Sequence, residues 1–120
     1  MTTQDVADKF MELARENKYD RIQDELYSQD CESIEPASGA EMGMFNAKGM
    51  AAIQEKGKKF NEGVEEMHDG YAHDPIISPT HFALAMGMDV TMKGVGRINM
   101  DELAVYEVKD GKIIKEQFFY

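Results

Sequence analysis

An α+β fold, with N-terminal helices packed on a curved antiparallel sheet that shelters a small pocket, is predicted by three observations. Apolar residues recur at helical spacing through the first half of the chain, and from Val64 onward they alternate with a period of two. Helical and strand segments are grouped in blocks and do not alternate, the pattern of helices laid on one face of a sheet. The 120 residues suffice for one hydrophobic core and not two, so residues 1–120 are expected to form a single domain.

Each element follows from local chemistry. Val6, Phe10, Leu13 and Ala14 form the buried stripe of a first helix, capped by Thr2 or Thr3 and favoured at its positive end by Asp5. Asn17-Lys18 interrupts it, and a shorter helix with Ile22 and Leu26 on its buried side follows. Cys31 to Glu35 reads as a short strand ended by Pro36, which cannot continue a ladder. Residues 36–47 read as a long connection, the kind that often serves as a lid or binding loop. A third helix is expected from about Lys48 to Asn61. In it Met50, Ile53, Gly57 and Phe60 fall in line, Gly57 permits close packing and Gly63 marks the end. Residues 64–78 form a strand bulged near Gly70 and Pro75. His81 to Met92 alternates Phe82, Leu84, Met86, Met88, Val90 and Met92 against smaller and polar residues. Gly94-Val95-Gly96 turns the chain into a strand from Met100 to Lys109, and Asp110-Gly111 is a hairpin signal leading to a last strand, Lys112 to Tyr120.

Composition excludes several classes of function. The net charge is −10, with ten acids against four bases in residues 1–35 and five acids with no lysine or arginine in 62–74. Such a surface repels phosphate backbones and anionic lipid, so neither nucleic acid nor membrane is an expected partner. No window holds the roughly 18 apolar residues of a membrane span, and the first residues lack the basic and apolar runs of a secretory signal. Cys31 is the single cysteine, so no internal disulfide forms and a cytoplasmic location is expected. A lone thiol in an acidic segment is a poor nucleophile. His68 and His73, five apart on a strand, point to opposite faces, and no helical or paired-cysteine spacing supports them, so neither a metal nor a cofactor is expected.

The order of elements, the ending Val105-Tyr106-Glu107-Val108-Lys109-Asp110-Gly111-Lys112-Ile113-Ile114-Lys115-Glu116-Gln117-Phe118-Phe119-Tyr120 and the helix opening Lys48-Gly49-Met50-Ala51-Ala52-Ile53 resemble the SnoaL-like branch of the nuclear transport factor 2-like superfamily. The resemblance implies a cone-shaped α+β barrel of cystatin-like type. Three helices pack on a curved antiparallel sheet, a cavity lies at the open end, and homodimers often form through the outer face of the sheet. Relatives include polyketide cyclases, ketosteroid isomerases, dehydratases and epoxide hydrolases as well as non-catalytic domains. Polyketide cyclases of this group use an acid on a late strand with a histidine nearby, and Glu102 or Asp101 matches the acid by position.

Within a hollow lined by Met, Phe and Leu, a carboxyl group has its pKa raised and can shuttle protons near neutral pH. Glu102, which shares strand parity with Tyr106, is the first choice for that role, and His68, oriented by Glu66, is the expected base or hydrogen-bond partner. Glu35 reaches the hollow from the end of the first strand, and Phe82, Met86, Tyr106 and Phe118 are its expected walls. Asp89, beside Ala85 and Gly87, reads as a structural hydrogen-bonding acid. The last strand is apolar on both faces, with Phe118 and Tyr120 on one and Phe119 on the other, as expected of a strand inside a dimer. Two functions follow: a binder of a small apolar or mixed-polarity molecule with acid–base activity of isomerase, cyclase or dehydratase type, or a non-catalytic dimeric module whose cone is filled by its own side chains.

Overall fold

A computed structural model describes residues 1–120. Helix α1 (Thr3–Arg15) opens with a capping box in which the Thr2 hydroxyl accepts from the Asp5 N–H at 3.1 Å and Asp5 accepts from the Thr2 N–H at 2.9 Å. Its apolar stripe buries Val6, Phe10, Leu13 and Ala14 as the spacing predicts. Helix α2 (Tyr19–Leu26) buries Ile22 and Leu26 and runs without a loop into β1 (Tyr27–Ile34), which therefore begins four residues earlier than expected. Pro36 does end the strand. The connection that follows contains a 3-10 helix (Ala37–Met42) and a two-residue strand, β2 (Ala47–Lys48), paired with β1. Helix α3 (Met50–Gly63) buries Met50 and Ile53. A Cβ on Gly57 would meet nothing within 4 Å, so this glycine faces open space and serves no close packing.

The remaining strands are β3 (Val64–Ala72), β4 (Ile76–Ile77), β5 (His81–Met92), β6 (Gly96–Lys109) and β7 (Lys112–Phe119). The bulges of β3 lie between Val64 and Glu66 and between Met67 and Asp69, not at Gly70. Asp110 and Gly111, both at positive φ, make the hairpin turn. The sheet runs β2-β1-β7-β6-β5-β3, with β4 on β5. It is open, with β2 and β3 at its edges, and it is antiparallel except where β1 lies parallel to β7. A curved open sheet with helices gathered against it is the α+β class that the alternation predicts.

Register decides what the inner, helix-covered face carries. The β5–β6 pairing is continuous from His81↔Glu107 to Met92↔Gly96, so even-numbered residues of both strands share one face. Ser33, Glu116, Tyr106 and Phe82 form one row across the sheet, Phe118, Ala104 and Leu84 the next, and Glu102 with Met86 the row beyond. Phe10 of α1 closes on the first row, with ring centroids 5.4 Å from Phe82 and 4.8 Å from Tyr106, and these rings lie within one core cluster of 18 buried residues.

On the outer face the Tyr71 hydroxyl reaches across Gly87 to donate to Asp101 at 2.7 Å. A Cβ on Gly87 would stand 2.7 Å from both the Tyr71 ring and the Asp101 carboxylate and 2.8 Å from the Met100 carbonyl. Gly87→Ala is therefore expected to cost about 1–3 kcal/mol by overpacking. Urea denaturation measures it, and an unchanged midpoint would contradict this account of the glycine.

Candidate functional site

Three glutamates converge on the inner face beyond the aromatic core. Glu116 is placed inward by strand alternation, with the same parity as Phe118, beside Tyr27 and Ser33 of β1. It accepts from both: the Tyr27 hydroxyl donates to one carboxylate oxygen and the Ser33 hydroxyl to the other at 2.6 Å. Lys56, from the underside of α3, donates to Ser33 Oγ at 2.5 Å and stands 5.8 Å from the centre of the Phe118 ring. Its ammonium is also 3.8 Å from Glu35 Oε1, and the Glu35 side chain is only 3% exposed. The other oxygen of Glu35, Oε2, is buried with no hydrogen-bond partner. The side chain of Glu102, half-buried in the row with Met86, makes neither a hydrogen bond nor an ion pair with the chain.

These surroundings set the protonation states. Burial, reinforced by the charges of Glu35 and Glu116 and opposed by Lys56, pushes the Glu102 carboxyl up to about 7. Burial also raises Glu35, against the pull of Lys56. Burial raises Glu116 as well, but the donated hydrogen bonds of Ser33 and Tyr27 hold it back. At the rim, burial and then the Glu35 and Glu102 charges lift the Tyr120 phenol to about 12. Burial and then Glu102 raise that of Tyr19. Burial pushes the thiol of Cys31, on β1 itself, up to about 12, which disfavours the thiolate at neutral pH. A proton can therefore be held or released at neutral pH by Glu102, while Glu116 serves to tie β1 to β7.

Several expected residues meet here and others do not. Glu35, Glu102, Met86 and Phe118 come together on the inner face, where Met86 and Phe118 pack partly buried against the core. Phe82 and Tyr106 are 1% and 3% exposed and pack within the aromatic core, so they support the site from beneath and are not walls open to a ligand. His68 is separated from Glu102 by the sheet. Its ring nitrogen lies 2.7 Å from Thr91 Oγ1, and Thr91 has the opposite parity to Met86, the partner of Glu102. The bulge after Met67 leaves His68 on the outer side with Glu66, 3.9 Å away, so the pairing of His68 with Glu102 does not form. Asp89 is held there by Arg97 through two hydrogen bonds of 3.0 and 2.8 Å. Sequence reasoning passed over Lys56, Ser33, Tyr27 and Glu116. The parity that pairs Phe118 with Tyr120 also places Glu116 inward, and Lys56 follows the buried Ile53 by three residues. A surface hollow of about 380 Å³ lies elsewhere, between α1 and β4, and is lined mainly by polar side chains such as Asp8, Arg15 and Asp74.

The family model of the SnoaL-like domain matches residues 1–120. The chain belongs to the SnoaL-like domain family. This SnoaL-like domain is 33% identical to a protein of Mesorhizobium loti assigned to the SnoaL-like polyketide cyclases, over 100% of each chain, with a TM-score of 0.91. A cystatin-like-fold protein of unknown function from Xanthomonas campestris is 19% identical over 99% of this chain and 90% of that one, with a TM-score of 0.79. A nuclear transport factor 2-like protein of unknown function from Burkholderia pseudomallei is 12% identical over 98% and 89%, also at 0.79. The last two share the fold. No curated protein matches the SnoaL-like domain. None of its helices is long and apolar enough to cross a membrane.

Proposed function

We propose that this SnoaL-like domain binds a small, largely apolar molecule at the open end of its inner face and transfers a proton on it through Glu102, in an isomerisation, cyclisation or dehydration. The observation that carries the reading is a half-buried carboxyl raised to about 7 with no partner in the chain. Such a group combines the protonation state and the freedom that a general base or acid needs at neutral pH. Met86 and Phe118 supply apolar contact, and Lys56 and Tyr120 are the neighbouring donors to a developing oxyanion. The reaction type is argued from the site and from membership of a family that includes cyclases, not from the fold. Incubation with a panel of small cyclic ketones in heavy water tests it by NMR. Deuterium entering next to the carbonyl is expected for at least one ketone, and no exchange above the buffer rate across the panel would sink the reading.

A second reading, a non-catalytic dimeric module, is favoured by the aromatic filling of the inner face beneath the site. The dimer itself is compatible with either. Leu103 and Phe119 pair directly across β6 and β7 on the outer face and are 44% and 48% exposed, so a second copy is the natural cover for them. Sedimentation at micromolar concentration is expected to give a dimer, and Leu103→Glu a monomer. A wild-type monomer would rule this assembly out. The buried thiol of Cys31 and the acidic surface suit a reducing cytoplasm and a partner that is neither nucleic acid nor membrane.

A further inference from the structure

We infer that the molecule taken at this site carries a protonated amine, seated against Glu35. The inference rests on the reading of the open end of the inner face as a ligand site, but not on proton transfer there. Glu35 Oε2 is a buried acceptor without a donor, on a side chain that is 97% covered. A carboxylate oxygen left in that state is costly, and an N–H donor from outside the chain relieves the cost. Lys56 does not supply it. Its ammonium donates to Ser33 Oγ at 2.5 Å and lies 3.8 Å from the other Glu35 oxygen, too far for a hydrogen bond.

The balance of charge points the same way. Glu35, Glu102 and Glu116 face the inner side with Lys56 as the one cation whose field reaches all three. Glu116 is satisfied by Tyr27 and Ser33, so Glu35 and Glu102 are the two carboxyl groups left for a visitor. Aromatic faces complete a cation-binding environment. Lys56 already lies over Phe118, 5.8 Å from its centre, and Tyr120 and Tyr19 stand at the rim, 44% and 40% exposed. Glu102 and Tyr120 lie near enough to Glu35 to feel its charge. An anion would meet three carboxyl groups there, and a neutral alcohol would give Glu35 only a weaker hydrogen bond.

Three probes with one six-membered ring separate the possibilities: cyclohexylamine, cyclohexanol and cyclohexanecarboxylate, titrated at neutral pH and followed by NMR shifts. Cyclohexylamine is expected to bind about tenfold more tightly than cyclohexanol, as a charged hydrogen bond replaces a neutral one, with the carboxylate weaker than both. Glu35→Gln should abolish the preference. If that variant fails to fold, Lys56→Met serves, and cyclohexylamine should raise its Tm by more than it raises that of the wild type. Equal binding of amine and alcohol would overturn the inference and leave the ligand site standing. Binding of none of the three would overturn both.

Discussion

Replacing Glu102 by Gln is expected to lower proton transfer by about 10²–10⁴-fold while the domain stays folded. The amide keeps the shape of the side chain but can neither accept nor deliver a proton. Its folded-state cost is small, because Glu102 has no partner in the chain to lose. The pH profile carries the sharper signature. If Glu102 acts as base, the wild-type rate climbs with pH and levels off above about 7, the point to which its surroundings raise it. The residual rate of the glutamine variant should lack that step. A wild-type profile that levels off near the ordinary carboxylate value of 4.5 would remove Glu102 from the role.

The same group shapes stability. A carboxyl whose pKa is raised on folding from 4.5 to about 7 favours the folded protein while it is protonated. That contribution is fully present below about 4.5, declines as the pH rises, and is lost by about 7. Glu35 and Glu116, raised mainly by burial, act in the same direction. The domain should therefore be more stable to urea near pH 5 than near pH 8, with Glu102 responsible for about 2 kcal/mol once its partial exposure is allowed for. Glu102→Gln should flatten the difference by that amount.

Glu116→Ala is expected to destabilise the domain by about 3–5 kcal/mol. Glu116 is 5% exposed and is the common acceptor of Tyr27 and Ser33, while Lys56 leans on Ser33. Truncation leaves the hydroxyls of Tyr27 and Ser33 without their acceptor and opens a cavity between β1 and β7, which are then joined there by parallel pairing alone. Chemical denaturation reads the loss directly. A change below about 1 kcal/mol, the size of a surface substitution, would show that the network does not secure β1. Taken together, the two substitutions separate a carboxyl that works on a ligand from one that holds the sheet.

Much of this architecture was legible before any coordinates. Period-two alternation placed Phe82, Leu84 and Met86 on one face of β5 and Glu102 with Tyr106 on one face of β6, and both hold because the β5–β6 register runs without a bulge. The first helix and its Thr2 cap follow from nearest neighbours in the chain. Where a bulge enters, parity reasoning fails. His68 sits within the second of two register shifts in β3, so its side cannot be counted along the strand by simple alternation. Lys56 illustrates a different limit: in a helix pattern it is an ordinary surface lysine, and only the approach of α3 to β1 brings it to Ser33 and Glu35.

By itself, the sequence determined the α+β class, the strand faces and the presence of an acid among apolar inner residues, since each depends on covalent spacing and on alternation within one element. Tertiary structure alone decided which acid is free and which is tied, because that depends on the parallel meeting of β1 with β7 and on the arrival of α3 above them. Glu102 and Glu116 have the same side chain. Their difference lies in two donated hydrogen bonds from a strand some eighty residues away.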